Sequence, residues 1–191
     1  MQGVHILWTG GFDSTFRLLW LIFVENEIVN PIYIIDLKRT TWKKEINTMS
    51  NISQEIRYSK DYHHKLKPLT IYNKDDFPID SEIESLYNTV SSQVKIGTQY
   101  KWLSQFAKTQ CYESNSIELC IHAHQAGYSE LLNFIFKDIE NDNFELKEND
   151  AKSLFSYFTF PLVKTSKKDM YDLAQEYGFI NILFKTWFCH E

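Results

Sequence analysis

The sequence predicts an α/β fold, a doubly wound parallel sheet of about five strands, and three observations carry that reading. First, apolar runs rich in β-formers alternate with segments of helical periodicity four times by residue 122, the pattern of successive strand–helix units. Second, Pro31-Ile32-Tyr33-Ile34-Ile35 is too continuously apolar for a half-exposed strand and fits one buried on both faces. Third, the run Val4-His5-Ile6-Leu7-Trp8 stops at two adjacent glycines, Gly10 and Gly11, and a helical pattern begins at once.

In chain order, the first strand covers residues 4–8, and the helix after it runs to about residue 25 on Phe16, Leu18, Leu19, Trp20, Leu21 and Phe23. A polar connection, 26–30, leads to the second strand, 31–35, with Asp36 at its carboxyl end. Residues 41–57 read as helical, with Trp42, Ile46, Met49, Ile52 (or Ser53) and Ile56 on one face. The third strand is 66–72, and Pro68 places it near an edge or delays its start. A polar loop, 73–80, precedes a weak helix, 81–92. Gly97 then opens a helix through about residue 110, and the fourth strand is 117–122. Beyond it the reading is a helix around 128–136, an acidic loop at 140–143 treated as solvated, and a second short helix before residue 157. The fifth strand is 158–162. Thr165 or Ser166 caps a final helix with Met170, Leu173, Ala174 and Tyr177 inward, and Gly178 ends it at the C′ position.

At 191 residues the chain reads as one domain, 1–191, with a short or truncated C-terminal tail. The net charge of −5 argues against a broad nucleic-acid surface. No apolar run reaches the ~18 residues of a membrane span, and no basic segment and cleavage site of a signal peptide is visible. Three scattered cysteines, Cys111, Cys120 and Cys189, read as free thiols in a reducing compartment, so the expected location is cytoplasmic. Aromatic residues make up 16% of the chain, and Trp20, Phe23, Trp42, Tyr100, Trp102 and Phe106 fall at helical spacing, which assigns them to the core, although one ring could stack on a base.

The chemistry concentrates in Trp8-Thr9-Gly10-Gly11-Phe12-Asp13-Ser14-Thr15. Glycines let backbone N–H groups approach an anion, and a helix start leaves amides unpaired where negative charge is favoured. The stretch is neither a Walker loop, since no lysine follows the glycines, nor the Gly-x-Gly-x-x-Gly dinucleotide fingerprint. It resembles the PP-loop, Ser-Gly-Gly-x-Asp-Ser, of the ATP pyrophosphatase superfamily, with Thr9 keeping the hydroxyl of the first serine. Three later segments extend the resemblance. Asp36-x2-Arg39-x5-Glu45 is similar to the region after strand two in 7-cyano-7-deazaguanine synthases. Phe160-Pro161-Leu162 followed by Ser166-Lys167-x-Asp169-Met170, and Thr186-Trp187-Phe188-Cys189, are similar to that family's Pro-Leu, Thr/Ser-Lys and Thr-Trp-Ser-Cys segments.

The resemblance implies an adenine nucleotide alpha-hydrolase-like, Rossmann-like fold that binds ATP and Mg²⁺. It implies a ligase or synthase chemistry in which a carbonyl or carboxylate oxygen of a small-molecule substrate attacks the α-phosphorus and pyrophosphate leaves. Asp13 and Lys167 become the catalytic candidates, Asp13 holding Mg²⁺ together with the phosphates and Lys167 approaching phosphate as a point charge. The nucleotide contacts implied are Trp8, Thr9, Gly10, Gly11, Asp13, Ser14, Thr15, Asp36 and Gly97. On the residues alone, Asp36 serves a ribose or adenine, or merely caps a turn, and Lys167 either meets phosphate or is a solvated lysine.

Departures fall on the substrate side: Thr98-Gln99 stands where the synthases carry Arg-Asn, and residues 122–128 lack their Asp-Cys-Arg. Cys189 matches the first of four zinc-binding cysteines, so Zn²⁺ is expected only if the chain continues. His63-His64 and His122-x-His124 read as incidental, with the second pair placed to line a pocket. Two alternatives stay open: a non-catalytic ATP- or AMP-binding subunit of a larger complex, and a PP-loop sulfur transferase acting on tRNA. A homodimer or a partner subunit is a further expectation.

Overall fold

The computed structural model describes residues 3–121, 129–138 and 143–187. In order, the elements are β1 (Val4–Leu7), α1 (Phe12–Phe23), β2 (Val29–Ile35), α2 (Trp42–Tyr58), β3 (Thr70–Asn73), α3 (Ser81–Gln93), α4 (Gln99–Thr109), β4 (Ile117–Glu118), α5 (Ser129–Ile135), β5 (Phe136–Asp138), β6 (Asn143–Leu146), α6 (Asp150–Phe155), β7 (Phe158–Thr159), α7 (Lys167–Glu176) and α8 (Ile180–Leu183). Five strands form one sheet in the order β3-β2-β1-β4-β7, and every pairing in it is parallel.

Side-chain alternation along the strands builds two cores, one on each face. Ile6, Trp8, Tyr33 and Ile35 pack with α1, α2, α7 and α8 on one face. Leu7, Ile32, Ile34 and Ile117 pack with α3, α4, α5 and α6 on the other. The chain steps outward from β1 through α1 and α2 on the first face, then crosses to β4 and β7 through helices on the second. The fold is therefore doubly wound, as predicted. Its order reverses between β1 and β4, and in such sheets ligands bind at that crevice, beyond the carboxyl ends of the strands.

Pro68 lies ahead of β3, which starts at Thr70 and occupies an edge of the sheet, so both consequences expected of it hold. The fourth and fifth strands are shorter than expected. β7 ends at Thr159 because Phe160 and Pro161 lead into a turn, and proline offers no ladder donor; Leu119 N–H makes the last bond across this pair, to Thr159 O at 2.9 Å. The helix expected at 128–136 stops at Ile135. From there Phe136–Asp138 pairs antiparallel with Asn143–Leu146, a hairpin the sequence reading missed. Residues 140–142 of the expected acidic loop lie outside the described residues, and Asn143 begins a strand.

The last long helix is capped as predicted, by Ser166. Its hydroxyl accepts from Asp169 N–H at 3.1 Å while the Asp169 carboxylate accepts from Ser166 N–H at 2.9 Å, a complete capping box. Gly178, with φ +79°, ends the helix in the left-handed conformation. Met170 and Ala174 are buried beneath it and Leu173 is partly buried, whereas Tyr177 is exposed, its ring in edge contact with Trp20. Among the described residues no helix is long and apolar enough to cross a membrane.

Candidate functional site

A cleft of about 450 Å³ opens at the carboxyl ends of β2, β1 and β4, at the switch point of the sheet. Thr9 and Gly11 of the turn between β1 and α1 line its floor, whereas Gly10, expected as a nucleotide contact, is buried behind them and does not line it. Gly10 has φ +73°, and a Cβ there would stand 3.2 Å from both Glu45 O and Met49 Cγ of α2. Two requirements thus meet at one residue, a left-handed backbone and room for a helix. The Gly10 carbonyl accepts from Trp187 N–H at 3.1 Å, which ties the turn to the segment after α8. Gly11 is the N-cap of α1 in an extended conformation, and no side chain caps the helix start. The first turn of α1 therefore presents backbone donors and the positive end of its dipole to the cleft.

Asp13 and Ser14 of that first turn line the cleft. The Ser14 hydroxyl makes long contacts, 3.4 Å to the Thr9 amide and hydroxyl and 3.5 Å in donating to the Gly11 carbonyl, so it can rotate toward a ligand at little cost. Lys167, the first residue of α7, sets its ammonium 3.1 Å from Asp13 Oδ1 and over the Phe12 ring. Its capped helix start would disfavour a cation in isolation. The Asp13 carboxylate offsets that, and Lys167 remains 53% exposed, toward the cleft it lines.

Thr15 is placed otherwise than predicted, and Trp8 lines the cleft as expected but without offering its indole to it. Trp8 Nε1–H donates to Thr15 Oγ1 at 2.9 Å, and both side chains are fully buried. Trp8 forms part of the cleft wall, but its indole is spent inside the core. The Thr15 hydroxyl faces the core rather than a phosphate, and its N–H returns to Gly11 O. Gly97 also departs from the prediction. It is exposed ahead of α4 and does not line the cleft, because the helix presents Gln99, Trp102 and Leu103 there instead.

Asp36 stands where the sequence put it, past the end of β2 and on the cleft wall, and it also holds its own turn. Lys74 Nζ lies 2.6 Å from Oδ2, and Lys38 N–H donates to Oδ1 at 3.0 Å. Burial works against its charge, but the Lys74 and Lys38 bonds outweigh it and hold the carboxyl below the usual range.

Beside it, Glu45 of α2 is 3% exposed and faces the same cleft. Oε2 accepts from the Tyr33 hydroxyl and Oε1 from the Thr41 hydroxyl, each at 2.8 Å, and Arg39 Nη2 lies 3.4 Å from Oε1. Burial, then the bond to Glu45, pushes the Tyr33 hydroxyl well above its ordinary range.

Leu119, Cys120 and Ile121, following β4, form the opposite wall. The Cys120 thiol is pushed well up, first by burial and then by the Glu118 carboxylate. Behind that wall Arg17 of α1 grips Glu118 of β4 through two bonds, Nε to Oε2 at 2.8 Å and Nη2 to Oε1 at 2.7 Å.

Of the residues singled out in the sequence, Trp8, Thr9, Gly11, Asp13, Ser14, Asp36 and Lys167 line the cleft. Sequence reasoning assigned no site role to Arg39, Glu45 or Trp187, put Gln99 on the substrate side without a role, and left Trp102 among the core rings of which one could stack on a base. Arg39 and Glu45 lay in a quoted motif whose spacing carried them, and Trp187 in another, whereas Trp102 was assigned to the core by periodicity. Cys189, His122 and His124 lie outside the described residues. His63 and His64 sit in the turn after α2, away from the cleft. Among the described residues no three His, Cys, Asp or Glu side chains cluster at metal-binding separation. No protein-family model matches the chain, and no curated protein is similar to it.

Proposed function

We propose that this chain binds ATP at the Gly10–Gly11 turn and adenylates a carbonyl or carboxylate oxygen of a small molecule, releasing pyrophosphate, as the PP-loop resemblance implies. The observation that carries the reading is the meeting of Lys167 and Asp13 at 3.1 Å over the start of α1, on the wall of a cleft at the switch point of the sheet. Those two residues were singled out from motifs far apart in the sequence.

In this reading the amides of the first turn of α1 take phosphate oxygens, and Ser14 turns its hydroxyl to them. Lys167 leaves Asp13 for the phosphates, where its charge stabilises the pyrophosphate as it departs. Asp13 is then released to a cation. One carboxylate, that of Asp13, would suffice for Mg²⁺, which takes one or two protein carboxylates and otherwise phosphate and water. When bound, Mg²⁺ supplies further neutralisation of the leaving group. The opposite wall, with Gln99, Trp102 and Ile121, remains for the acceptor. Sulfur transfer draws no comparable support: a thiol held as high as that of Cys120 is a poor nucleophile.

Titration of Mg²⁺–ATP followed by a pyrophosphate-release assay against a panel of carboxylic acids tests the reading. Release that depends on an acceptor supports it. ATP binding with no release for any acid reassigns the chain as a nucleotide-binding subunit, and absence of ATP binding removes the proposal.

A further inference from the structure

Glu45 and Arg39 form an ion pair of unequal halves. The Glu45 carboxylate is almost wholly buried and fixed by the hydroxyls of Tyr33 and Thr41. A charge in that position is costly unless a cation stays near it. Arg39 supplies that cation, but from 3.4 Å, beyond the 2.7–2.9 Å of a good charge-assisted bond. Its guanidinium is 52% exposed, lines the cleft and, among the described residues, makes no hydrogen bond. The buried carboxylate thus keeps the guanidinium at the cleft wall without consuming its donors. Five N–H groups in a planar fork match two oxygens of one anion. In the order β3-β2-β1-β4-β7, the loop after β2 that carries Arg39 is separated by β1 and β4 from β7, which leads into the start of α7 at Lys167.

We propose that Arg39 is a second oxyanion-recognition residue, which takes a pair of carboxylate or phosphate oxygens separately from the α1 start and Lys167, with Glu45 as its positioning residue. Within the adenylation reading, on which the choice of ligand rests, that anion is either a phosphate of the nucleotide or the carboxylate of the acceptor.

The test is isothermal titration of three probes, Mg²⁺–ATP, inorganic pyrophosphate, and benzoate with and without saturating ATP, into wild type and three variants: Arg39→Ala, Arg39→Lys, and Arg39→Ala combined with Glu45→Gln. The double variant removes the cation together with the buried charge it neutralises, so lost binding is not traced to a stranded carboxylate. The expected result is binding weakened about tenfold or more for at least one probe in the alanine and double variants, with lysine restoring only part of it, because a point charge cannot form the two parallel bonds. Loss with ATP and pyrophosphate assigns the subsite to a nucleotide phosphate, and loss confined to benzoate assigns it to the acceptor. Unchanged affinity of the double variant for every probe overturns the subsite while ATP binding leaves the nucleotide reading standing. Arg39-dependent binding of benzoate or pyrophosphate without ATP binding keeps the subsite and sinks adenylation, and a wild type that binds none of the three overturns both.

Discussion

The Lys167 ammonium lies 3.1 Å from Asp13 Oδ1, so the first turns of α7 and α1 are joined by opposite charges over the cleft. With Lys167 half-exposed, the pair contributes less than about 1 kcal/mol to stability, as exposed ion pairs do. Lys167→Ala should therefore melt within about 2–4 °C of wild type yet bind Mg²⁺–ATP about tenfold more weakly, since a bond to a charged ligand is worth roughly 1.5–3 kcal/mol. Normal ATP binding by Lys167→Ala would remove Lys167 from the site. Ser166→Ala, which breaks the cap beneath it, should cost about 1 kcal/mol and weaken ATP less than Lys167→Ala does.

The two glycines should respond differently to a methyl group. Gly10→Ala forces a side chain into the left-handed region, about 1–2 kcal/mol, and presses it against α2, so both stability and ATP affinity should fall. Gly11→Ala meets only the movable Thr9 hydroxyl, at 3.3 Å and with an ordinary φ, and should leave the melting temperature nearly unchanged. Thermal melts of the two variants decide it, and equal losses would contradict the assigned backbone.

Much of this fold was legible because its signals are local. Apolar runs, helical faces, Ser166 as a cap and Gly178 as a stop depend on a few neighbouring residues, and the strand–helix alternation turned them into a sheet. The β5–β6 hairpin was not legible, because three- and four-residue strands carry too little alternation to compete with the helical pattern before them. In the site, Asp13 and Lys167 were found through motifs. Thr15 was misassigned because nothing in the sequence says which side of a helix start faces the core; the indole of Trp8 decides that. Glu45 escaped for the opposite reason. Its spacing to Met49, Ile52 and Ile56 sets it on the buried face of α2, but a carboxylate reads as solvent-facing by its charge until Tyr33 and Thr41 are folded against it.

Arg17 and Glu118 bind α1 to β4 with side chains 14% and 12% exposed. Removing Arg17 strands Glu118, so Arg17→Met should destabilise by roughly 2–4 kcal/mol, whereas Glu118→Gln leaves Arg17 its bond to Glu25, Nη1 to Oε1 at 2.6 Å, and should cost less. The double substitution should recover much of that loss. A denaturant double-mutant cycle measures the coupling, and strictly additive effects would show that the pair is not coupled.

Tyr33 sets an alkaline limit. Its folded hydroxyl ionises above the ordinary value of 10.0, while the unfolded chain ionises near it. The stabilisation is complete below that pH and is lost as pH rises through the folded value, because the unfolded state gives up its proton first. Melting temperatures from pH 8 to 11 should fall more steeply for wild type than for Tyr33→Phe. Parallel slopes would mean that the hydroxyl has no such restraint.

The bond from Trp187 to Gly10 has a kinetic consequence. Contacts between residues widely separated in the chain form slowly, since the intervening chain must be ordered first. β1, the glycine turn and α1 have strong local preferences and can assemble early. The clasp on the turn must wait until β7, α7 and α8 have docked. The floor of the cleft is accordingly completed late in folding. In a refolding experiment, recovery of ligand binding should lag behind recovery of helical circular dichroism.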